Sequence, residues 1–305
     1  VGVGHDHGHA SVGRAHRGRL LAVLAIQVVV LVAEVVGARL SGSLALLADA
    51  GHMLTDVAGV LLAVLAVTFA ARPPTPERTF GYYRLEILAA IVNALLLFAV
   101  AAFILVEAWQ RWNEPPDVRT GLMVAFALVG LVANVVGLAI LRGGSKESLN
   151  VRGAYLEVFG DMLGSVAVIV AAVVIATTGW QRADVVASVL VALMILPRTF
   201  SLLREAVDVL LEATPRGVDM AAVRAHILET PGVLDTHDLH AWTITSGLPV
   251  LSAHVVVTDE ALADGGAARV LDQLADCLHD HFDVEHCTFQ LEPSSHAEHE
   301  YDHHA

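Results

Sequence analysis

The chain has 305 residues, 55% of them hydrophobic and only 16% charged, and its mean hydropathy is +0.63. A single soluble core does not need that much apolar surface; a bilayer does, because each spanning helix takes about 20 apolar residues. The net charge of −14 leaves no basic footprint for a nucleic-acid partner, and most of the acidic residues fall in the C-terminal third, where they keep that part solvated.

Residues 1–17 are polar and His-rich, with His5, His7, His9 and His16. Six apolar segments follow: Leu20–Leu40, Ser43–Ala70, Leu85–Trp109, Leu122–Leu141, Ala154–Thr178 and Val185–Leu203. Each has helix length and is bounded by Arg, Pro or Gly, so six spanning helices are expected over residues 18–205. No small-residue cleavage pattern follows the first segment, which is expected to span the membrane and not to act as a signal peptide. Basic residues set the orientation. With the N-terminus inside, the inner side holds Arg14, Arg17, Arg19, Arg72, Arg78, Arg84, Arg142, Lys146, Arg152 and Arg204, against Arg39, Arg111, Arg119 and Arg182 outside. Both termini are therefore expected in the cytoplasm, with Trp109, Trp112 and Trp180 at the outer interface, where amphipathic rings prefer to sit.

The character changes at about Ala206. Val218–Glu229 and Ala267–Phe282 have helical periodicity, and Val233–Thr245, Pro249–Thr258 and His286–Glu292 read as strands, with Ser246-Gly247 as a turn. The order αββαβ over residues 206–292 suits a small open sheet with helices on one face. Residues 293–305 form a second polar, His-rich tail with His296, His299, His303 and His304. The two cysteines, Cys277 and Cys287, have no disulfide or zinc-knuckle spacing and are expected as reduced thiols if this part is cytoplasmic.

Ionisable groups inside spanning helices are costly and tend to be functional. The second segment carries Asp49, His52 and Asp56, with His52 and Asp56 one turn apart on one face and Asp49 on the same stripe. The fifth carries Glu157 and Asp161 at the same spacing. Two such pairs on facing helices supply four N/O ligands for a tetrahedral cation site of the kind Zn2+ prefers. Gln27 and Glu34 share a face of the first segment, and Asn93 and Asn134 lie in mid-span; these suit packing or the lining of a wet cavity better than ligation. No His-Glu-x-x-His pattern marks a metallohydrolase, no phosphate loop marks an ATP-driven pump, and no output module marks a membrane-bound metal sensor, so no enzyme activity is expected.

Five stretches in order resemble the signatures of the cation diffusion facilitator family, closest to its bacterial zinc/cadmium/cobalt exporter branch. They are Ser43–Asp56, Phe80–Glu86, Asn150–Asp161, His237–Trp242 and Thr288–Glu292. The resemblance covers residues 18–292 and implies a multi-pass homodimer in the cell membrane that exports divalent metal, Zn2+ first among them, from the cytoplasm by proton-coupled antiport with alternating access. Cd2+, Co2+, Ni2+, Mn2+ and Fe2+ stand as alternative cargo. It implies a metallochaperone-like (ferredoxin-like) cytoplasmic fold that binds regulatory metal and takes part in dimerisation, with no other cofactor. Carried over residue by residue, the transport ligands are His52, Asp56, Glu157 and Asp161, with Asp49 as an additional candidate. The cytoplasmic ligands are His237, His254 and Glu292, with His240, His286 and Gln290 as alternatives. The sequence departs from the family pattern in three places. Glu157 stands where a His is usual, the connection Arg72–Arg84 has no His, and the connection Gly143–Asn150 lacks a His-rich insert. The His-rich tails are then candidates for metal capture, or plain polar segments.

Overall fold

The structure is a computed structural model and describes residues 9–142, 149–245, 248–282 and 286–297. His5, His7, His299, His303 and His304 of the two tails, residues 143–148 of the connection and the Ser246-Gly247 turn lie outside the described residues. Six long helices come first: α1 (His9–Ser41), α2 (Leu44–Ala70), α3 (Leu85–Asn113), α4 (Thr120–Arg142), α5 (Leu149–Thr178) and α6 (Arg182–Leu210). All six are long and apolar enough to cross a membrane. Their outward surfaces agree: Val29, Leu61, Phe103, Val132, Val170 and Phe200 are each more than half exposed, which only a hydrocarbon solvent makes tolerable. Several helices outrun their apolar segments. α6 continues to Leu210, because a polar residue ends the membrane-buried stretch without ending the hydrogen-bond ladder.

The chain falls into two compact units. The first comprises the helices up to Val64 together with Val92–Leu203. Here α4 packs along α1 and α5 through a buried stripe of Met123, Ala127, Gly130, Asn134, Gly137 and Leu141, spaced alternately by four and three residues. Small residues let the backbones close up where no hydrophobic effect drives them together. Gly37 on α1 shows how tight this is: a Cβ there would lie 2.4 Å from Cγ of Phe126 and 2.7 Å from its Cβ. Gly37→Val is therefore expected to cost about 1–3 kcal/mol by overpacking. The check is a lowered unfolding temperature in detergent, which Phe126→Ala in the same chain should partly restore.

The start of α2 is tied to the start of α6. Asp184 accepts from the Ser43 hydroxyl (2.5 Å) and from the backbone N–H groups of Leu44 (2.6 Å) and Ala45 (3.1 Å), and Ser43 Oγ accepts from Leu46 N (3.1 Å). These donors are among the ones that the first turn of a helix cannot satisfy itself. Asp184 is thus a cap for α2 supplied from another helix, and it fixes the helix that carries His52 and Asp56.

The second unit comprises Leu65–Ile91 and the chain from Arg204. Its C-terminal part holds α7 (Met220–Glu229), β1 (Val233–Thr243), β2 (Pro249–Val257), the short α8 (Asp259–Leu262), a 3-10 turn at Ala263–Gly265, α9 (Gly266–Phe282), β3 (His286–Pro293) and the short α10 (Ser294–Ala297). The sheet order is β1-β2-β3, antiparallel between β1 and β2 and parallel between β2 and β3. A parallel pair needs a crossover, which α9 provides. Leu251, Ala253, Val255 and Val257 of β2 pack with Val223 and Ile227 of α7 and Val270 and Leu274 of α9. With a side-chain period of two, His254 must face the opposite side of the sheet. The Leu65–Ile91 part meets this domain within the unit: Thr245 donates to Glu86 Oε2 (2.6 Å), and Arg84 pairs with Glu212 (2.7 Å).

Candidate metal centres

His52 and Asp56 lie on one face of α2, with His52 Nε2 3.4 Å from Asp56 Oδ2. Asp161 of α5 brings its Oδ1 to 3.6 Å from the same nitrogen. One ligand atom from each of the three lies within 4.8 Å of the others, the separation that a single ion bridges. Gln27 of α1 donates to Asp161 Oδ2 (3.3 Å) and so orients that carboxylate, the place of a group behind a ligand. His52 and Asp56 border a cavity of about 410 Å³, which Asp49, Asn93, Glu157 and Arg198 also line.

The cluster is short of donors. His52 Nδ1, Asp56 Oδ2 and Asp161 Oδ1 are buried and have no hydrogen-bond partner among the described residues. Each buried polar atom left so costs about 1–3 kcal/mol, and more for a charged group. A cation held by Asp56 Oδ2, Asp161 Oδ1 and the His52 Nε2 that faces them removes that cost for the two carboxylate atoms, whereas helix packing alone leaves it in place. Asp49 is 1% exposed and lies deeper, 3.5 Å from the Ser165 hydroxyl and outside the three-residue group. Glu157 lines the cavity, but its Oε2 lies 3.4 Å from Arg198 Nη2 of α6, and Glu157 is also outside that group.

A second group, His237, His254 and Glu292, lies on the sheet face away from the helices. His254 Nδ1 is 2.8 Å and His237 Nε2 3.4 Å from the carboxylate of Glu292, and the two rings stand 5.0 Å apart. Gln290 donates to Glu292 Oε1 (2.7 Å), which makes it a support for the carboxylate. β1 reaches this face through an irregularity. The register shifts between His237 and His240, and Asp238 sits at φ 45°, a left-handed conformation that Asp tolerates better than most residues. Strict alternation puts His237 on the same side as Leu239 and Ala241, which pack on the core; the extra residue turns His237 to pair with His254. His240 pairs with Ser252 and is exposed, and His286 is exposed with its ring 6.0 Å from Phe80, so neither belongs to the three-residue group. Burial pushes the Cys287 thiol up, so it stays protonated at neutral pH and is a poor metal ligand.

Sequence reasoning passed over Asp184 and Arg198. Asp184 sits at the head of an apolar run and reads as its polar flank, although the pairing of Ser43 at one helix start with a carboxylate at another was available as a signal. Arg198 sits late in the sixth apolar segment, where a basic residue near the membrane interface is ordinary.

Six apolar helices, a buried His/carboxylate cluster between two of them and an appended α+β domain with its own His/Glu cluster define a multi-pass membrane protein that handles metal ions. Residues 20–211 match the cation efflux transmembrane domain and residues 215–294 the cation efflux protein cytoplasmic domain. The chain is 47% identical over 292 residues to the metal cation efflux system protein CzcD of Cupriavidus metallidurans, covering 96% of this chain and 90% of that protein. It is 44% identical over 293 residues to the zinc transporter ZitB of Escherichia coli (94% and 92% covered). It is 38% identical over 296 residues to a cadmium, cobalt and zinc/H(+)-K(+) antiporter of Bacillus subtilis (96% and 93%). Among solved structures, the metal-bound C-terminal domain of the CzcD transporter of C. metallidurans is 45% identical over 25% of this chain and 99% of that one, with a TM-score of 0.23. The chain belongs to the cation efflux family, and it is a metal cation efflux transporter and not an enzyme.

Proposed function

We propose that the protein exports Zn2+ from the cytoplasm in exchange for protons, by alternating access around a site formed by His52, Asp56, Glu157 and Asp161. The observation that carries this reading is the pair of buried, unsatisfied carboxylate atoms, Asp56 Oδ2 and Asp161 Oδ1, that face His52 Nε2. Ligands bind metal only when deprotonated, so metal and protons compete for the same atoms. Cytoplasmic pH favours loading; on a more acidic outer side, protons take the ligands, the ion leaves, and the protons travel inward. A mixed N/O set favours Zn2+ and Cd2+, while its carboxylates also admit harder ions such as Mn2+. Vesicle flux with a panel of Zn2+, Cd2+, Co2+, Ni2+, Mn2+ and Fe2+ tests this; transport led by Mn2+ or Fe2+ with Zn2+ excluded contradicts it.

On this reading residues 18–205 form the transport domain and residues 206–292 the cytoplasmic metal-binding and dimerisation domain. The protein works as a homodimer in the cell membrane with both termini in the cytoplasm, and residues 1–17 and 293–305 are cytoplasmic tails. His237, His254 and Glu292 hold a regulatory metal ion, with Gln290 behind Glu292. Asp49 supports the transport site from behind. A ligand that binds the folded state at a hundred times its Kd stabilises it by about 2.7 kcal/mol. His237→Ala with His254→Ala is expected to remove most of the Zn2+-dependent rise in unfolding temperature and to leave slower but measurable transport. A well-folded double variant with no transport at all counts against a purely regulatory role.

A further inference from the structure

Arg198 is the one arginine or lysine among the described residues lining the cavity, and Glu157 is the carboxylate it meets, at 3.4 Å. The residue before it, Pro197, lies inside α6 and has no N–H to give to the carbonyl of Leu193, so the helix lacks one ladder bond beside Arg198. Metal ligation requires the ligands to be deprotonated, so three carboxylates and one neutral imidazole around a divalent ion would leave the filled site with one surplus negative charge. A residual charge inside a membrane helix bundle is costly unless paired. Arg198 cancels that surplus.

Resting on the transport-site reading above, we propose that Arg198 is a specificity-determining, positioning residue for transport: a tethered cation that holds Glu157 away from His52, Asp56 and Asp161 until a divalent ion arrives, and that neutralises the filled site. Glu157 and Arg198 together then do the electrostatic work of one neutral ligand. Metal must displace the guanidinium to recruit its fourth ligand, so binding is weakened and release is quickened by the same exchange. A monovalent cation brings too little charge to win Glu157 from Arg198, whereas a divalent ion wins it.

The rival is structural: an arginine near a helix end whose carboxylate partner merely shields it from lipid. Four proteins reconstituted in vesicles separate the two: wild type, Arg198→Gln, Glu157→His, and the double variant Glu157→His/Arg198→Gln. The expected results are as follows. Arg198→Gln lowers KM for Zn2+ and lowers kcat, each on the order of tenfold, within the range of couplings measured between contacting residues. Glu157→His alone raises KM, because the arginine then faces the ion with no carboxylate between them. Adding Arg198→Gln to Glu157→His restores KM and shifts the metal ranking towards Zn2+ and away from Mn2+. Arg198→Lys stays close to wild type. An Arg198→Gln that leaves KM for Zn2+ unmoved in both the wild-type and the Glu157→His background, whatever it does to the unfolding temperature, overturns the proposal. Should an Arg198 variant fail to fold, the pair Glu157→Gln and Glu157→His decides: a tethered-cation role requires both to raise KM, and an unchanged KM overturns it. Absence of Zn2+ flux in the wild type is a different outcome; it defeats the transport-site reading itself.

Discussion

Asp56→Ala is expected to lower Zn2+ flux by about a hundredfold or more while the protein stays folded, since losing even a group behind a metal ligand costs about 10- to 100-fold. Asp56 offers the buried Oδ2 that faces His52 Nε2 at 3.4 Å and has no hydrogen-bond donor. Removing it takes away a proposed ligand and also one carboxylate from a cavity already lined by Asp49 and Glu157. The metal-free variant should therefore unfold at the same temperature as wild type or slightly above it, the usual signature of a site that holds strain for function. Flux in vesicles and unfolding in detergent, measured on the same preparation, check both halves. Wild-type flux removes Asp56 from the transport site.

Asp184→Ala should give the opposite result. It leaves the Ser43 hydroxyl and the N–H groups of Leu44 and Ala45 buried without their acceptor. Each such donor costs about 1–3 kcal/mol, so destabilisation of about 3 kcal/mol or more is expected. Asp184→Asn keeps one acceptor oxygen and should fall in between. Circular dichroism melts and the yield of soluble protein in detergent provide the measurement. A stable Asp184→Ala protein that has lost Zn2+ flux would show that Asp184 acts on the ion and not on the helix. Comparing the two variants thus separates a carboxylate held for the cargo from one held for the fold, a distinction that burial alone does not make, since Asp161 beside Asp56 is as buried as Asp184, at 1% and 2% exposed.

The spans were legible because the bilayer demands long apolar runs, and the candidate ligands stood out because His52/Asp56 and Glu157/Asp161 break those runs at a one-turn spacing. Helix ends were less so: α6 runs past Leu203 to Leu210, because hydropathy reports the membrane boundary and says nothing of the ladder beyond it. The succession of helices and strands along the C-terminal domain followed from the two periodicities, but the irregularity at Asp238 did not. Only the backbone shows that His237 crosses to the face of His254 while Leu239 stays on the core. Arg198 and Asp184 were hidden for a related reason. Each acts on a residue more than 40 positions distant or on another helix's start, and a linear pattern carries no sign of which helices meet. Glu157 is the instructive case. Its spacing from Asp161 makes it a candidate ligand, whereas the structure leaves it outside the three-residue group and 3.4 Å from Arg198, a cation that spacing cannot reveal.

The most direct test of exchange between Zn2+ and protons is a single recording of both. Protein reconstituted with its cytoplasmic side outward, in vesicles with an acidic lumen, is given external Zn2+ while one lumenal dye reports zinc and another reports pH. The account predicts that Zn2+ enters the lumen as the lumen turns more alkaline, at rates that rise together with the size of the pH gradient, because the same His52, Asp56 and Asp161 atoms carry either the ion or protons. Zn2+ uptake with no lumenal pH change, at a rate indifferent to the gradient, would contradict it.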